Sequence, residues 1–276
     1  MGNLLSIEFI EGQSATGKTT FIEQRCESES VSSPAYTKIL CDPGDNASCS
    51  HIFFRSDSDS DPLSILDLSQ GGISLAYFFK LIESLTSYSR PSQRLLVDRS
   101  PLSLFLYEYW WRRLFPMLKE IIFERAFTPE DPPGECIKKA LLHHPPIREC
   151  LSYFGQAMLS IMVGMSNLAT RQKKKIVVHL VFHDADDYEH HSLTTSRRQE
   201  RGGIDKFSLD SVERGSLREA FFLYTAGESL LWEEMYKTYI GHEHLFAAGY
   251  FKMIRIPTDF RGLIAARNPF LLADGE

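Results

Sequence analysis

Residues Gly12-Gln13-Ser14-Ala15-Thr16-Gly17-Lys18-Thr19 follow the spacing G-x-x-x-x-G-K-[ST], directly behind the apolar run Leu4 to Ile10. The chemistry served by that spacing is the cradling of nucleotide phosphates. Backbone N–H groups must converge on an anion, and glycine lets the chain fold tightly and approach closely. Gly12 and Gly17 meet that need, with the main chain of Gln13, Ser14, Ala15 and Thr16 between them. Lys18 supplies a point charge for the outer phosphates and Thr19 a hydroxyl for Mg²⁺. Thr20 to Gln24 then opens a helix whose positive end faces the anion.

Three further groups have the composition to act on such a ligand. Leu95-Leu96-Val97-Asp98-Arg99-Ser100 sets an acid and a base where a buried strand runs out, so that Asp98 is placed to hold Mg²⁺ directly or through water. The same residues also read as an ion pair at a helix start, with Ser100 or Asp98 as N-cap and Pro101 at the first helical position; the two readings are compatible. Asp42-Pro43 ends a second strand, where a carboxylate reaches an acceptor hydroxyl in line with a γ-phosphate and takes its proton. A plain Asp-Pro-Gly turn is the alternative there. Arg197, Arg198 and Arg201 precede Gly202-Gly203 in a segment that reads as a lid near 193–206, closing on charge that develops during transfer. Its alternative is a solvated, charged helix end. The segment His183 to His191 is rich in His and Asp but lacks a metal-ligand spacing, and reads as the connection from a strand to that lid.

Five short apolar runs must position these groups: Leu4 to Ile10, Tyr36 to Cys41, Arg94 to Val97, Lys175 to Phe182 and Tyr250 to Ile256. Helical stretches alternate with them at 18–26, 72–87, 101–125, 147–171 and 209–239. Alternation of this kind predicts right-handed crossovers and a parallel sheet covered on both faces, with ligands beyond the carboxyl ends of the strands. The expected fold is therefore α/β and P-loop NTPase-like: a five-stranded parallel sheet, helices on both faces and a lid segment. One domain is expected over 1–276, with irregular insertions near 50–65, which is Ser- and Asp-rich, and near 126–146, where Pro129, Pro132, Pro133, Pro145 and Pro146 break helices. Leu102, Phe105, Leu106, Tyr109 and Leu114 mark the core side of one helix. Trp110 and Trp111 cannot both face that core, so one of them lines a pocket or a subunit contact. Met158, Met162 and Met165 make the 147–171 helix a buried or dimer-facing one, and a homodimer is expected.

Composition narrows the class. An apolar content of 43% over 276 residues supports a continuous core. A formal charge of −6 argues against a broad nucleic-acid surface, which needs clustered Lys and Arg. Five scattered cysteines, without a C-x-x-C pair, indicate neither a disulfide framework nor zinc, and fit a reducing cytoplasm or nucleus. No apolar run reaches the length that spans a bilayer, so no membrane partner is expected. Met1-Gly2-Asn3-Leu4-Leu5-Ser6 satisfies the N-myristoylation pattern, although Gly2 lies too near the first strand to leave an acyl chain much tether.

Taken together, Glu11-Gly12 to Thr19, Asp42-Pro43, Asp98-Arg99-Ser100-Pro101 and the Arg198 to Arg201 lid resemble the deoxynucleoside kinase family, especially its herpesvirus-type thymidine kinases. The resemblance implies ATP with Mg²⁺ as donor and a small-molecule deoxynucleoside as acceptor, in a host cell's cytoplasm or nucleus if the protein is viral. By that resemblance Asp42 is the base on the 5′-hydroxyl, Arg99 contacts that hydroxyl or the phosphates, Asp98 serves Mg²⁺, and Arg197, Arg198 and Arg201 close over ATP. Gln70 is similar in position to the glutamine that reads the base, and a Gln amide admits thymine and cytosine alike. The sequence departs from the family in carrying Asp42 where Glu is usual, Gly202-Gly203 where another arginine often sits, and Asp205 in place of a substrate-binding Glu. Thymidylate kinases share an acid-Pro motif, but there an arginine precedes it to hold the acceptor's phosphate. Here Cys41 stands in that place and cannot hold a dianion. A non-catalytic protein that uses ATP to switch conformation is the remaining alternative.

Overall fold

The computed structural model describes residues 6–13, 16–18, 20–22, 24, 36–40, 94–114, 116–117, 144–184, 187, 189–191, 193–194 and 214–256. Five strands, β1 (Ser6–Gly12), β2 (Tyr36–Leu40), β3 (Arg94–Asp98), β4 (Lys175–Val181) and β5 (Phe251–Arg255), lie side by side in the order β2-β3-β1-β4-β5. Every neighbouring pair runs parallel. β1 is central, with Ile10 opposite Asp98 on one side and opposite His179 on the other. The chain moves to β2 and β3 on one flank of β1 and to β4 and β5 on the other. The carboxyl end of β1 is thus where the direction of winding reverses, and such switch points open the crevices in which parallel sheets hold ligands.

Among the described residues, three longer helices lie between β3 and β5: α1 (Pro101–Tyr109), α2 (Pro145–Gln172) and α3 (Arg214–Gly241). They build the larger core together with one face of the sheet, from which Ile7, Phe9, Val97, Ile176, Val178 and Leu180 point inward. On α2 the residues Ile147, Cys150, Phe154, Met158, Met162, Met165 and Ala169 recur at helical spacing and are all buried. This places the three methionines in the core, as the sequence pattern allows. The opposite face carries a smaller cluster, Ile10, Leu96, Val181 and Ile256, covered by Phe21 and Ile22 from the turn that follows Lys18. Because side chains alternate along a strand, Phe9 and Ile10, or Leu96 and Val97, serve different cores.

The coarse expectation of an α/β chain with an all-parallel sheet is met, and several boundaries are corrected. α1 stops at Tyr109 and gives way to a π-helical turn, Trp110–Leu114, where one α-helix was expected over 101–125. Leu102, Leu106, Trp110 and Leu114 are all fully buried. Four-residue steps drift off one face of an α-helix by roughly 40° each at about 100° per residue, and a widened turn recovers that drift. Trp110 faces the core. It packs on Gly227 of α3, where an added Cβ would lie 2.1 Å from the indole. Pro145 and Pro146 do not break a helix but begin α2, behind His144 as N-cap. A proline in the first turn has no hydrogen bond to lose, so the same residue starts a helix that it would interrupt further along. α2 ends at Lys173, whose left-handed backbone (φ 53°) turns the chain straight into β4.

Candidate functional site

At the carboxyl end of β1 the chain makes a turn that glycine alone fits. Gly12 has φ 135°, and a Cβ there would stand 2.0 Å from the carbonyl oxygen of Val181 on β4. The Gln13 amide donates to that same oxygen at 3.0 Å, so the loop is pressed against β4 as it leaves the sheet. Gly17 is also left-handed, at φ 85°. From it the first helical hydrogen bond runs, Phe21 N–H to the Gly17 carbonyl at 2.9 Å. Lys18 folds back over the loop, its Nζ donating to the carbonyls of Gly12 at 2.8 Å and Gln13 at 2.6 Å. An ammonium group held on its own loop's carbonyls stands beside the place where amides at a helix start would meet an anion.

Two residues of the loop differ from expectation in what their side chains do. Gln13 is fully buried, and its Nε2 donates to the Thr225 carbonyl of α3 at 3.1 Å and to the Ser229 hydroxyl. Its Oε1 accepts from the His183 amide at 2.8 Å. The side chain therefore ties β1, β4 and α3 together, and its main chain is committed as well, the N–H to Val181 and the carbonyl to Lys18. The Thr16 hydroxyl is likewise spent inside the loop, donating to the Gln13 carbonyl at 2.9 Å. Thr20 is exposed on the following turn.

The β3 end lies against this loop. The Arg99 amide donates to the Ile10 carbonyl at 3.4 Å, and the Ser100 amide donates to Oε1 of Glu11. Ser100 caps α1 through its own hydroxyl, which accepts from Leu102 N–H at 3.1 Å, with Pro101 behind it. Of the two caps open in the sequence, the structure uses Ser100. Arg99 is left-handed, at φ 74°, and its guanidinium stands 5.5 Å from the ring centroid of Tyr107. The Tyr107 hydroxyl in turn donates to Glu228 Oε1 at 2.8 Å, and Trp232 Nε1 reaches the same oxygen at 3.3 Å. A polar chain thus runs from Arg99 into the middle of α3.

Glu11, Tyr107 and Glu228 belong to this constellation and were not singled out from the sequence as site residues. Glu11 is fully buried; desolvation pushes its carboxyl up to about 7, against the pull of the Ser100 hydrogen bonds and the charges of Lys18 and Arg99. The signal available in the sequence was an acid at the end of the first strand, adjacent to the first loop glycine. For Tyr107 and Glu228 no spacing pointed to a meeting across 121 residues.

The structure brings Gly12, Gln13, Thr16, Gly17, Lys18 and Arg99 to one end of the sheet. Asp98 ends β3 opposite Ile10, and its side chain lies outside the described residues. Also outside them are Ser14, Ala15, Thr19, Asp42, Gln70, Arg197, Arg198, Arg201 and Asp205, and with them the body of the expected lid. Beyond β4, His183 Nδ1 meets Asp187 Oδ2 at 3.2 Å, and the His183 and His190 rings stack with centroids 3.4 Å apart. Burial pushes the Asp187 carboxyl up, but the His190 amide and the two nearby imidazoles outweigh it and hold the group below its ordinary value. No metal-binding group of His, Cys, Asp or Glu occurs among the described residues. No helix among them is long and apolar enough to cross a membrane.

Comparison with protein-family models and with curated proteins finds no match for this chain.

Proposed function

We propose that the protein is a deoxynucleoside kinase that transfers the γ-phosphate of ATP to the 5′-hydroxyl of a pyrimidine deoxynucleoside, thymidine before deoxycytidine. The observation that carries this reading is the Gly12–Lys18 turn at the switch point of the parallel sheet, with Lys18 folded over the loop's own carbonyls. ATP phosphates would take the place of those carbonyls as partners of Lys18, with the amides of residues 14–19 beneath them. Thr19 and Asp98 would hold Mg²⁺, which supplies charge neutralisation across the β- and γ-phosphates. Asp42 accepts the proton of the 5′-hydroxyl as its oxygen bonds to the γ-phosphorus and the bond to the departing ADP oxygen breaks. Arg99 steadies the acceptor, Gln70 reads the base, and Asp205 contacts the sugar. Arg197, Arg198 and Arg201 close over the phosphates and exclude water.

The test is a coupled assay of the four deoxynucleosides and of thymidylate with Mg²⁺-ATP. Thymidine is expected to be turned over fastest, with Asp42→Asn reducing turnover by about a hundredfold or more. Turnover of thymidylate without thymidine would replace this reading by a nucleoside monophosphate kinase. ATP binding with no acceptor turned over would leave a nucleotide-dependent switch.

A further inference from the structure

Two successive residues of β1 hold the turn that follows β3. Ile10 accepts the Arg99 amide through its carbonyl, and Glu11 accepts the Ser100 amide through a side-chain oxygen. Between these two bonds Arg99 adopts φ 74°, a left-handed conformation that an ordinary side chain keeps only where its surroundings enforce it. Ser100 is fully buried and its other polar atoms are committed: the hydroxyl caps α1, and the carbonyl accepts from Ser103. Its amide therefore has Glu11 to rely on. The other carboxyl oxygen, Oε2, is buried and makes no hydrogen bond among the described residues.

We infer that Glu11 is a positioning residue: by seating the Ser100 amide it locks Arg99 in its left-handed conformation and so sets the guanidinium above Tyr107, facing the acceptor. The argument rests on the kinase reading for what Arg99 acts upon, but not for the geometry of the turn. If Glu11 cannot accept this bond, Ser100 is left with an unpaired amide in a dry site, and the turn relaxes to satisfy it. Arg99 then loses its place, while the loop from Gly12 onward, pinned independently by Gln13 to Val181, Thr225 and His183, keeps its own.

The full chain carrying Glu11→Leu, Glu11→Gln, Arg99→Ala or Glu11→Leu with Arg99→Ala decides it. In Glu11→Leu, hydrogen exchange over 98–102 is expected to speed up, and turnover of the best nucleoside to fall about tenfold or more, with the dissociation constant for Mg²⁺-ATP little changed. Glu11→Gln, whose amide oxygen still accepts from Ser100, is expected to recover protection and most of the lost turnover. The double variant is expected to turn over no more slowly than Arg99→Ala alone, because both changes remove one interaction. Unchanged exchange in Glu11→Leu, a Gln variant as impaired as the Leu variant, or additive losses in the double variant would each overturn the inference. If the wild-type chain phosphorylates no nucleoside, the kinase reading fails, and exchange over 98–102 still decides whether Glu11 seats the turn.

Discussion

β1 buries two glutamates three positions apart, and they serve opposite faces of the sheet. Glu8 points to the smaller core and meets an imidazole, with Oε2 at 3.3 Å from His179 Nε2 and both side chains almost wholly excluded from solvent. Glu11 points to the larger core, at the end of the strand, where it finds a backbone amide and, further off, the charges of Lys18 and Arg99. The acid beside the imidazole has its neighbour within the sheet itself. An acid held by an amide of the strand-end turn, with Lys18 and Arg99 further off, is held by parts to which the proposed function assigns the ligand. The two faces thus differ: one buries its acid against an imidazole of the same sheet, and the other sets its acid at the strand end, against the Ser100 amide.

That division can be broken from either side. The largest effect is expected at the crevice: Lys18→Ala should lower nucleoside phosphorylation by about a hundredfold to a thousandfold. A cooperative melting curve for the variant checks that the fold is retained. Next comes the closed pair. Glu8→Leu alone, which leaves His179 buried beside an apolar side chain, is expected to cost about 3 kcal/mol in denaturant unfolding. Glu8→Leu with His179→Leu should recover most of that, and neither variant should change the Michaelis constants; loss of activity in the double variant would make Glu8 part of the site.

The smallest effect is a slope. The Glu11 carboxyl is raised from 4.5 to about 7, so between these values the native protein holds a proton that the unfolded chain has lost. Its contribution to stability is greatest below pH 4.5 and is lost as pH rises through about 7, an amount of order 3 kcal/mol. Urea midpoints of the wild type should therefore fall relative to those of Glu11→Gln between pH 5 and pH 8. Parallel pH dependences would place the Glu11 proton elsewhere.

What was legible in the sequence follows from how local each feature is. The glycine spacing of the loop, the apolar strands and the methionine-lined helix are written in residues a few positions apart, and the structure has them. The Ser100 cap and Pro101 were open beside Asp98 as the helix start, and a single hydrogen bond to Leu102 decided between them. Prolines 145 and 146 show the limit of composition: their effect depends on whether the helix has begun, which is set by the Ile147, Cys150 and Phe154 stripe packing on the sheet and on Phe105 and Tyr109. The π turn at Trp110 likewise depends on a gap in another helix, at Gly227.

By itself, the sequence determined that a glycine-framed turn stands at the end of the first strand, and that strands and helices alternate behind it, because spacing and periodicity are properties of the chain. Only the tertiary structure decided that the Gln13 side chain fastens α3, that Glu11 receives the Ser100 amide, and that Tyr107 meets Glu228. These are contacts between residues far apart in the chain, and the need to pair every buried polar group, not any local preference, selects them.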